Sequence, residues 1–205
     1  MKDKIDIVVL GVDGSDPEFI RKKQYVTNPS NSLSEYIDGD LRYRDYGTLN
    51  YWFRMIENHA PWVNKIFLIT NGQKPSWLNL EHPKLKFLTH EEFMPYEYLP
   101  TFNSASIELN LHRIEDLSEN YIYFNDDMYL IKDSSPSDFY KNGQPRLFAV
   151  YDAIVPWSPF TKTYLNNIEL IYRHFPKKTA MQTSPWKFFN YRYGLRMFKN
   201  LLLLP

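Results

Sequence analysis

At 205 residues, with 43% hydrophobic side chains and no cysteine, the chain is long enough for one domain, or for one domain and a small extension, and it cannot build a disulfide scaffold, a zinc–cysteine site, an iron–sulfur cluster or a thiol nucleophile. Its 24 basic and 24 acidic residues cancel, which argues against bulk binding to nucleic acid, where phosphate neutralisation needs surplus Lys and Arg. A chain of this size buries roughly 70% of its unfolded surface, and its 16 Tyr, 14 Phe and 5 Trp suit a packed core and flat surfaces on which a sugar or base could stack.

In chain order, Met1-Lys2-Asp3-Lys4-Ile5-Asp6 resembles a secretory leader only briefly. The apolar run at 7–12 is too short, follows Asp6, and leads into Asp13-Gly14. Residues 5–12 therefore read as a first strand, buried on both faces of a parallel sheet and closed by Asp13-Gly14-Ser15-Asp16-Pro17. With no export signal and no run approaching the roughly 18 apolar residues of a membrane span, the expected location is the cytoplasm. Residues 22–40 are polar and predict a loop or loosely held excursion. Leu49, Trp52, Phe53, Ile56 and Ala60 keep helical spacing up to Pro61. Strands follow at 66–70, 85–89 and 120–124, with a helix at 101–112 capped by Thr101, Asn103 or Ser104. This alternation predicts a mainly parallel α/β sheet with flanking helices over residues 1–146. Residues 147–205 predict a mostly helical, incomplete extension, with helices at 164–175 and 186–204 and an apolar run, Leu201-Leu202-Leu203-Leu204, before Pro205.

In open α/β sheets, ligands bind outside the carboxyl ends of the strands. Three strands end there in polar clusters: Asp13-Gly14-Ser15-Asp16, Thr70-Asn71-Gly72-Gln73 and Asn125-Asp126-Asp127. The last pairs carboxylates, hard ligands suited to Mg²⁺ or Mn²⁺ bridging to phosphates; the alternative, which the three residues alone favour slightly, is an Asx-type turn closing the strand. In an extended chain Asn125 and Asp127 share one side and Asp126 the other. Gly14 suits close approach of a ligand, with Asp13 and Asp16 accepting from a ribose or base; the alternative is a turn with a Ser15 or Asp16 helix cap. Arg42, Arg44 and Asp45 fit a diphosphate clamp or a solvated patch before a helix. His112 and Arg113 either complement a helix dipole or form a general base beside an anion anchor. Lys22-Lys23 and Lys177-Lys178 are small basic spots, and His59, His82, His90 and His174 have no ligand-like spacing.

These residues carry a family resemblance. Asp6-Ile7-Val8-Val9 with Val12-Asp13-Gly14-Ser15-Asp16-Pro17 resembles the first conserved region of the Stealth proteins. Arg42-Tyr43-Arg44-Asp45-Tyr46-Gly47, Ala60-Pro61-Trp62-Val63, Ile69-Thr70-Asn71-Gly72-Gln73-Lys74-Pro75, Leu99-Pro100-Thr101-Phe102-Asn103-Ser104, Leu111-His112-Arg113-Ile114 and Tyr123-Phe124-Asn125-Asp126-Asp127 resemble the second. Members are hexose-1-phosphotransferases, among them capsule and cell-surface polysaccharide synthases and the animal transferase that tags lysosomal enzymes.

The resemblance implies a Rossmann-like nucleotide-sugar-transferase sheet and transfer of a sugar-1-phosphate from a UDP-sugar to an oligo- or polysaccharide hydroxyl, with Mg²⁺ or Mn²⁺ and release of UMP. It implies Asp126 and Asp127 at the metal and diphosphate, and Asp13, Gly14 and Asp16 at the nucleotide end. Arg42, Arg44 and Asp45 would stand near the donor, and Asn103, Asn125, His112 and Arg113 near the reacting phosphate or acceptor. Association with polysaccharide assembly machinery at the membrane's inner face is compatible with it. The family's third and fourth regions, which supply a further His and an Arg, would lie beyond Pro205. The chain therefore reads as truncated, and whether it acts alone stays open. The rival readings are a metal-dependent glycosyltransferase and a non-catalytic nucleotide-sugar-binding module.

Overall fold

The computed structural model describes residues 4–26, 43–146 and 161–176, with residues 178, 179 and 182. Two compact units divide the chain, Met1–Arg146 and Leu147–Pro205. In the first, β1 (Ile5–Leu10), β2 (Ile66–Thr70), β3 (Leu85–Thr89) and β4 (Asn120–Phe124) form one parallel sheet in the order β3-β2-β1-β4. Ile7 lies opposite Ile66 on one side and Ile122 on the other, and Ile66 lies opposite Leu85. The unit is an α/β, Rossmann-like fold.

Alternation along the strands explains why both faces are covered. Ile7, Val9, Ile66, Leu68 and Phe124 meet Trp52, Met55 and Ile56 of a helix over Leu49–His59. Val8, Phe67, Ile69 and Leu88 meet Ile107 of a short helix over Ser104–Glu108, together with Leu111 and Ile114 beyond it. A first helix, α1 (Pro17–Val26), follows β1, so the two just named are α2 and α3.

The amino-terminal end of the sheet is fastened by a buried acid. Asp6 is fully buried in β1, and its carboxylate accepts from Asn64 Nδ2 at 2.7 Å, Lys65 N at 3.0 Å and Ser118 N at 2.8 Å. The entries to β2 and β4 are thereby tied to the start of β1.

Three local expectations change. Residues 22–26 belong to α1 rather than to a polar excursion, and residues 27–40 lie outside the described residues. Asp16 Oδ1 accepts from Glu18 N at 2.8 Å, Pro17 opens the helix, and Glu18 pairs with Lys22 at 3.4 Å. Because α1 buries only Phe19, it has little apolar periodicity.

The helix expected over 101–112 ends at Glu108, and a separate 3-10 turn spans Leu111–Arg113. Asn110 Nδ2 donates to the Ser106 carbonyl at 2.9 Å, occupying the acceptor that a continuing helix would use. Beyond β4, a short helix α4 (Pro136–Phe139) and a hairpin of β5 (Tyr140–Lys141) and β6 (Gln144–Pro145) were not anticipated. Asn142 and Gly143 turn that hairpin at φ 54° and 72°.

In the second unit, α5 (Thr161–His174) occupies the region where a helix was expected over 164–175. The helix expected over 186–204 and its leucine run lie outside the described residues. Among the described residues no helix is long and apolar enough to cross a membrane.

Candidate functional site

Since all four strands are parallel, the three polar clusters converge on one edge. From β1 the chain builds β2 and β3 on one side and then crosses to β4 on the other, so the strand order reverses between β1 and β4. That reversal opens a crevice at the carboxyl ends, with the β1 loop on one side and Asn125-Asp126-Asp127 on the other.

The β1 loop is tightly fastened. Asp13 Oδ1 accepts from Ser15 N at 2.9 Å and from Ser15 Oγ at 2.6 Å. Both Asp16 oxygens are engaged: one caps α1 through Glu18 N, and the other accepts from Gln73 Nε2 at 3.0 Å. The Gln73 bond, then the Glu18 bond, holds the Asp16 carboxyl below its usual range. Asp16, Phe19, Lys22, Asn71, Gly72 and Gln73 are among the residues lining a cavity of about 150 Å³.

Gly14 differs from expectation. Its N–H donates to Tyr43 O at 2.7 Å, and a Cβ there would lie 2.3 Å from that oxygen. The missing side chain thus admits the chain's own backbone at Tyr43 rather than a ligand. Tyr43 Oη in turn donates to Phe102 O at 2.9 Å, and the rings of Tyr43 and Phe102 each lie 5.3 Å from that of Phe19. Helix α1, the segment at Tyr43 and the entry to α3 thereby share one small aromatic core, to which the β1 loop is tied through Gly14.

After β4 the chain turns, with Met128 N donating to Asn125 O at 3.1 Å. Asp126 and Asp127 therefore occupy a tight turn, and the alternating disposition expected of an extended chain does not hold. Asp126 is half-buried, while Asn125 and Asp127 are exposed. Burial pushes the Asp126 carboxyl up, and the negative charges of Asp127 and Asp45 add to the shift. Tyr123 Oη donates to Glu108 Oε1 at 3.2 Å. Its phenol is pushed well above the usual range by burial first, then by Glu108, Asp126 and Asp127.

This arrangement concentrates negative charge at the crevice, and its hard oxygens fit a divalent cation. Among the described residues, however, no three His, Asp or Glu side chains stand together as a ready metal cage. Two carboxylates with further ligands from substrate phosphates are the arrangement that Mg²⁺ commonly uses.

The remaining candidates are more dispersed. Asp45 Oδ1 accepts from Gly47 N at 2.7 Å, and the Arg44 guanidinium lies 5.8 Å from the Tyr46 ring centre. Arg42 lies outside the described residues. Asn103 caps α3, its Oδ1 accepting from Ala105 N at 3.0 Å. His112 is exposed on the 3-10 turn. Arg113 Nε donates to Asn110 Oδ1 at 2.9 Å, and the residue lines a separate cavity of about 650 Å³ with Lys86, Glu91, Phe93 and Asp116. Neither the β1 loop nor Asn125-Asp126-Asp127 contributes to its lining, so this cavity is separate from the crevice between β1 and β4. Sequence reasoning did not single out Gln73, Tyr43, Tyr123 or Glu108. Their partners are remote in sequence, and only the polar run that contains Gln73 signalled its place.

The family model for Stealth protein CR2, conserved region 2, matches residues 42–147. A capsular polysaccharide phosphotransferase of Streptococcus thermophilus is 60% identical over 198 residues, covering 97% of this chain and 83% of that protein. The chain belongs to the Stealth family. A capsular polysaccharide phosphotransferase of Streptococcus pneumoniae is 39% identical over 204 residues, 99% of this Stealth chain and 61% of that relative. An exopolysaccharide phosphotransferase of Lactiplantibacillus plantarum is 41% identical over 202 residues, 98% of the chain and 58% of that relative. The matched region contains Asp45, Gln73, Tyr123, Asp126 and Asp127, whereas the β1 loop precedes it.

Proposed function

We propose that this Stealth chain is a phosphotransferase of surface polysaccharide synthesis, moving a sugar-1-phosphate from a UDP-sugar to a hydroxyl of an oligo- or polysaccharide acceptor. The phosphotransferase names of its relatives support the reaction class. The observation that carries the reading is the acidic turn at the switch point of the sheet, where the half-buried Asp126 meets the charges of Asp127 and Asp45. Such a turn suits a diphosphate brought in with Mg²⁺ or Mn²⁺.

In the proposed step the acceptor oxygen forms a bond to the phosphorus that bears the sugar. The bond from that phosphorus to the bridging anhydride oxygen breaks, and UMP departs with the electron pair. The hydroxyl proton passes to a base, the part for which His112 is the candidate. When bound by Asp126 and Asp127, the cation supplies neutralisation of the phosphate charge. The chain's own contribution is alignment and electrostatics, which dominate phosphoryl transfer. Asp13 and Gly14 shape the nucleotide end, and Asp16 and Asn103 act by fixing the starts of α1 and α3. Arg42, Arg44 and Asp45 stand on the donor side. Arg113, held by Asn110 and lining the separate cavity beside β3, takes no part in this step. A cytoplasmic reaction is part of the same proposal.

The test is the fate of the nucleotide. Incubation with UDP-sugar, acceptor oligosaccharide and Mg²⁺ should release UMP and leave a phosphodiester in the product. Release of UDP with a new glycoside would instead make the chain a glycosyltransferase, and binding of UDP-sugar without either product would make it a binding module.

A further inference from the structure

Gln73 is placed with unusual completeness. Thr70 Oγ1 donates to its carbonyl oxygen at 2.9 Å, and Gly72 at φ 86° makes the tight turn before it. Its side chain then reaches the β1 loop. Oε1 accepts from Asp13 N at 2.9 Å, and Nε2 donates to Asp13 O at 2.8 Å and to Asp16 Oδ2 at 3.0 Å.

Both N–H groups of the amide are used, and its oxygen takes the third bond. Only one orientation of the amide satisfies all three, because rotation would set N–H against N–H and oxygen against oxygen. The first two bonds engage both backbone groups of one residue, as a peptide on a neighbouring strand would. They add a rung to the β1–β2 ladder beyond the one from Gly11 N to Ile69 O at 2.9 Å. The third bond then fixes the residue that caps α1. A Glu at this position would set a carboxylate against Asp16 and the Asp13 carbonyl, and an Asn would be one methylene short.

We propose that Gln73 is a positioning residue of the candidate site, extending the β1–β2 ladder by one rung so that the Asp13–Asp16 loop is held open for the nucleotide end of the donor. The inference rests on the functional reading above, and its test separates the two. Amide hydrogen exchange of the ligand-free chain reports the clamp, and calorimetric titration with UDP and Mg²⁺ reports the site.

In Gln73→Ala, exchange at the Asp13 amide should accelerate by about 10-fold or more as the bond that closes it is lost. UDP affinity should fall on the order of 10-fold, the scale of a lost supporting contact. In Gln73→Glu the loss should be larger at pH 7.5 and should partly recover, relative to wild type, near pH 5. There the introduced carboxyl takes up a proton and can donate again. Gln73→Ala should show no such recovery, since it gains no titrating group.

Unchanged exchange at Asp13 in Gln73→Ala would overturn the clamp. Accelerated exchange with unchanged UDP affinity would reduce Gln73 to a structural role. A wild-type chain that binds no UDP would overturn the functional reading and the positioning role with it, and the exchange arm would still answer for the clamp.

Discussion

Asp126 is half-buried beside Asp127 and within the influence of Asp45, so its ionised form is disfavoured in the folded chain and its carboxyl lies above the ordinary range. The linkage has a definite sign. A carboxyl raised on folding binds its proton more tightly in the native state. Stability is therefore lost as pH climbs from the unfolded value through the raised one, and the penalty is complete above both. In metal-free protein at pH 7, Asp126→Asn should therefore raise the denaturation midpoint. The difference should vanish below about pH 4, where the unfolded carboxyl is protonated as well. The same change should lower Mg²⁺-dependent transfer by roughly 100-fold or more, the scale seen when one charge-stabilising group is removed from a reacting centre. Urea midpoints at the two pH values check the first outcome, and steady-state rates the second. A variant that loses stability at pH 7 and keeps its activity would contradict both. The polar cluster itself could be read from the sequence, because a β-rich run ending in Asn-Asp-Asp has few local interpretations. The half-buried position of Asp126 could not, since it follows from the turn closed by Met128 N and from burial in the folded chain, with the charge of Asp45 acting from a remote part of the sequence.

At the scale of elements, the strands were visible because β1 and β2 are apolar nearly throughout, as strands covered on both faces must be. α1 was obscured because one buried phenylalanine leaves no helical stripe, although the Asp16-Pro17 start was a signal. The β5–β6 hairpin turns on Asn142-Gly143, a pair suited to positive φ, but its strands are only two residues each and carry no alternating pattern. The end of α3 was decided by a side chain, Asn110, competing with the backbone. Asp6 shows how one residue joins several elements. Its carboxylate satisfies Asn64, Lys65 and Ser118, so Asp6→Ala would leave three donors at buried or half-buried positions without their acceptor. The expected cost is on the order of 3 kcal/mol, given about 1–3 kcal/mol for a buried donor left unsatisfied. Urea denaturation should register it as a lower midpoint. A loss below about 0.5 kcal/mol, the range of ordinary surface changes, would show that the clasp does not hold the strands.

Over the first unit as a whole, the two ends of the sheet have different work. The end that holds Asp6 fastens strand entries. The opposite end gathers hydrogen-bonded loops and sets the acidic turn of Asp126 and Asp127 at the crevice between β1 and β4. Reading the sequence placed the clusters correctly on one edge, because parallel strands put their carboxyl ends together. It did not separate the crevice from the cavity beside β3, since Arg113 lies only ten residues before the start of the Tyr123-Phe124 strand end in sequence and belongs to a different wall in space. If Asp126 and Asp127 hold a divalent cation, two carboxylates should bind it tightly only together with the phosphates of a diphosphate.

Paramagnetic broadening tests the location of the site directly. Mn²⁺ added to the isotopically labelled chain with UDP should broaden amide signals around Asp13, Asp45 and Asn125 to Asp127, and Mn²⁺ without UDP should do so weakly. Broadening centred on Lys86, Arg113 and Asp116, with the strand-end loops unaffected, would contradict the account.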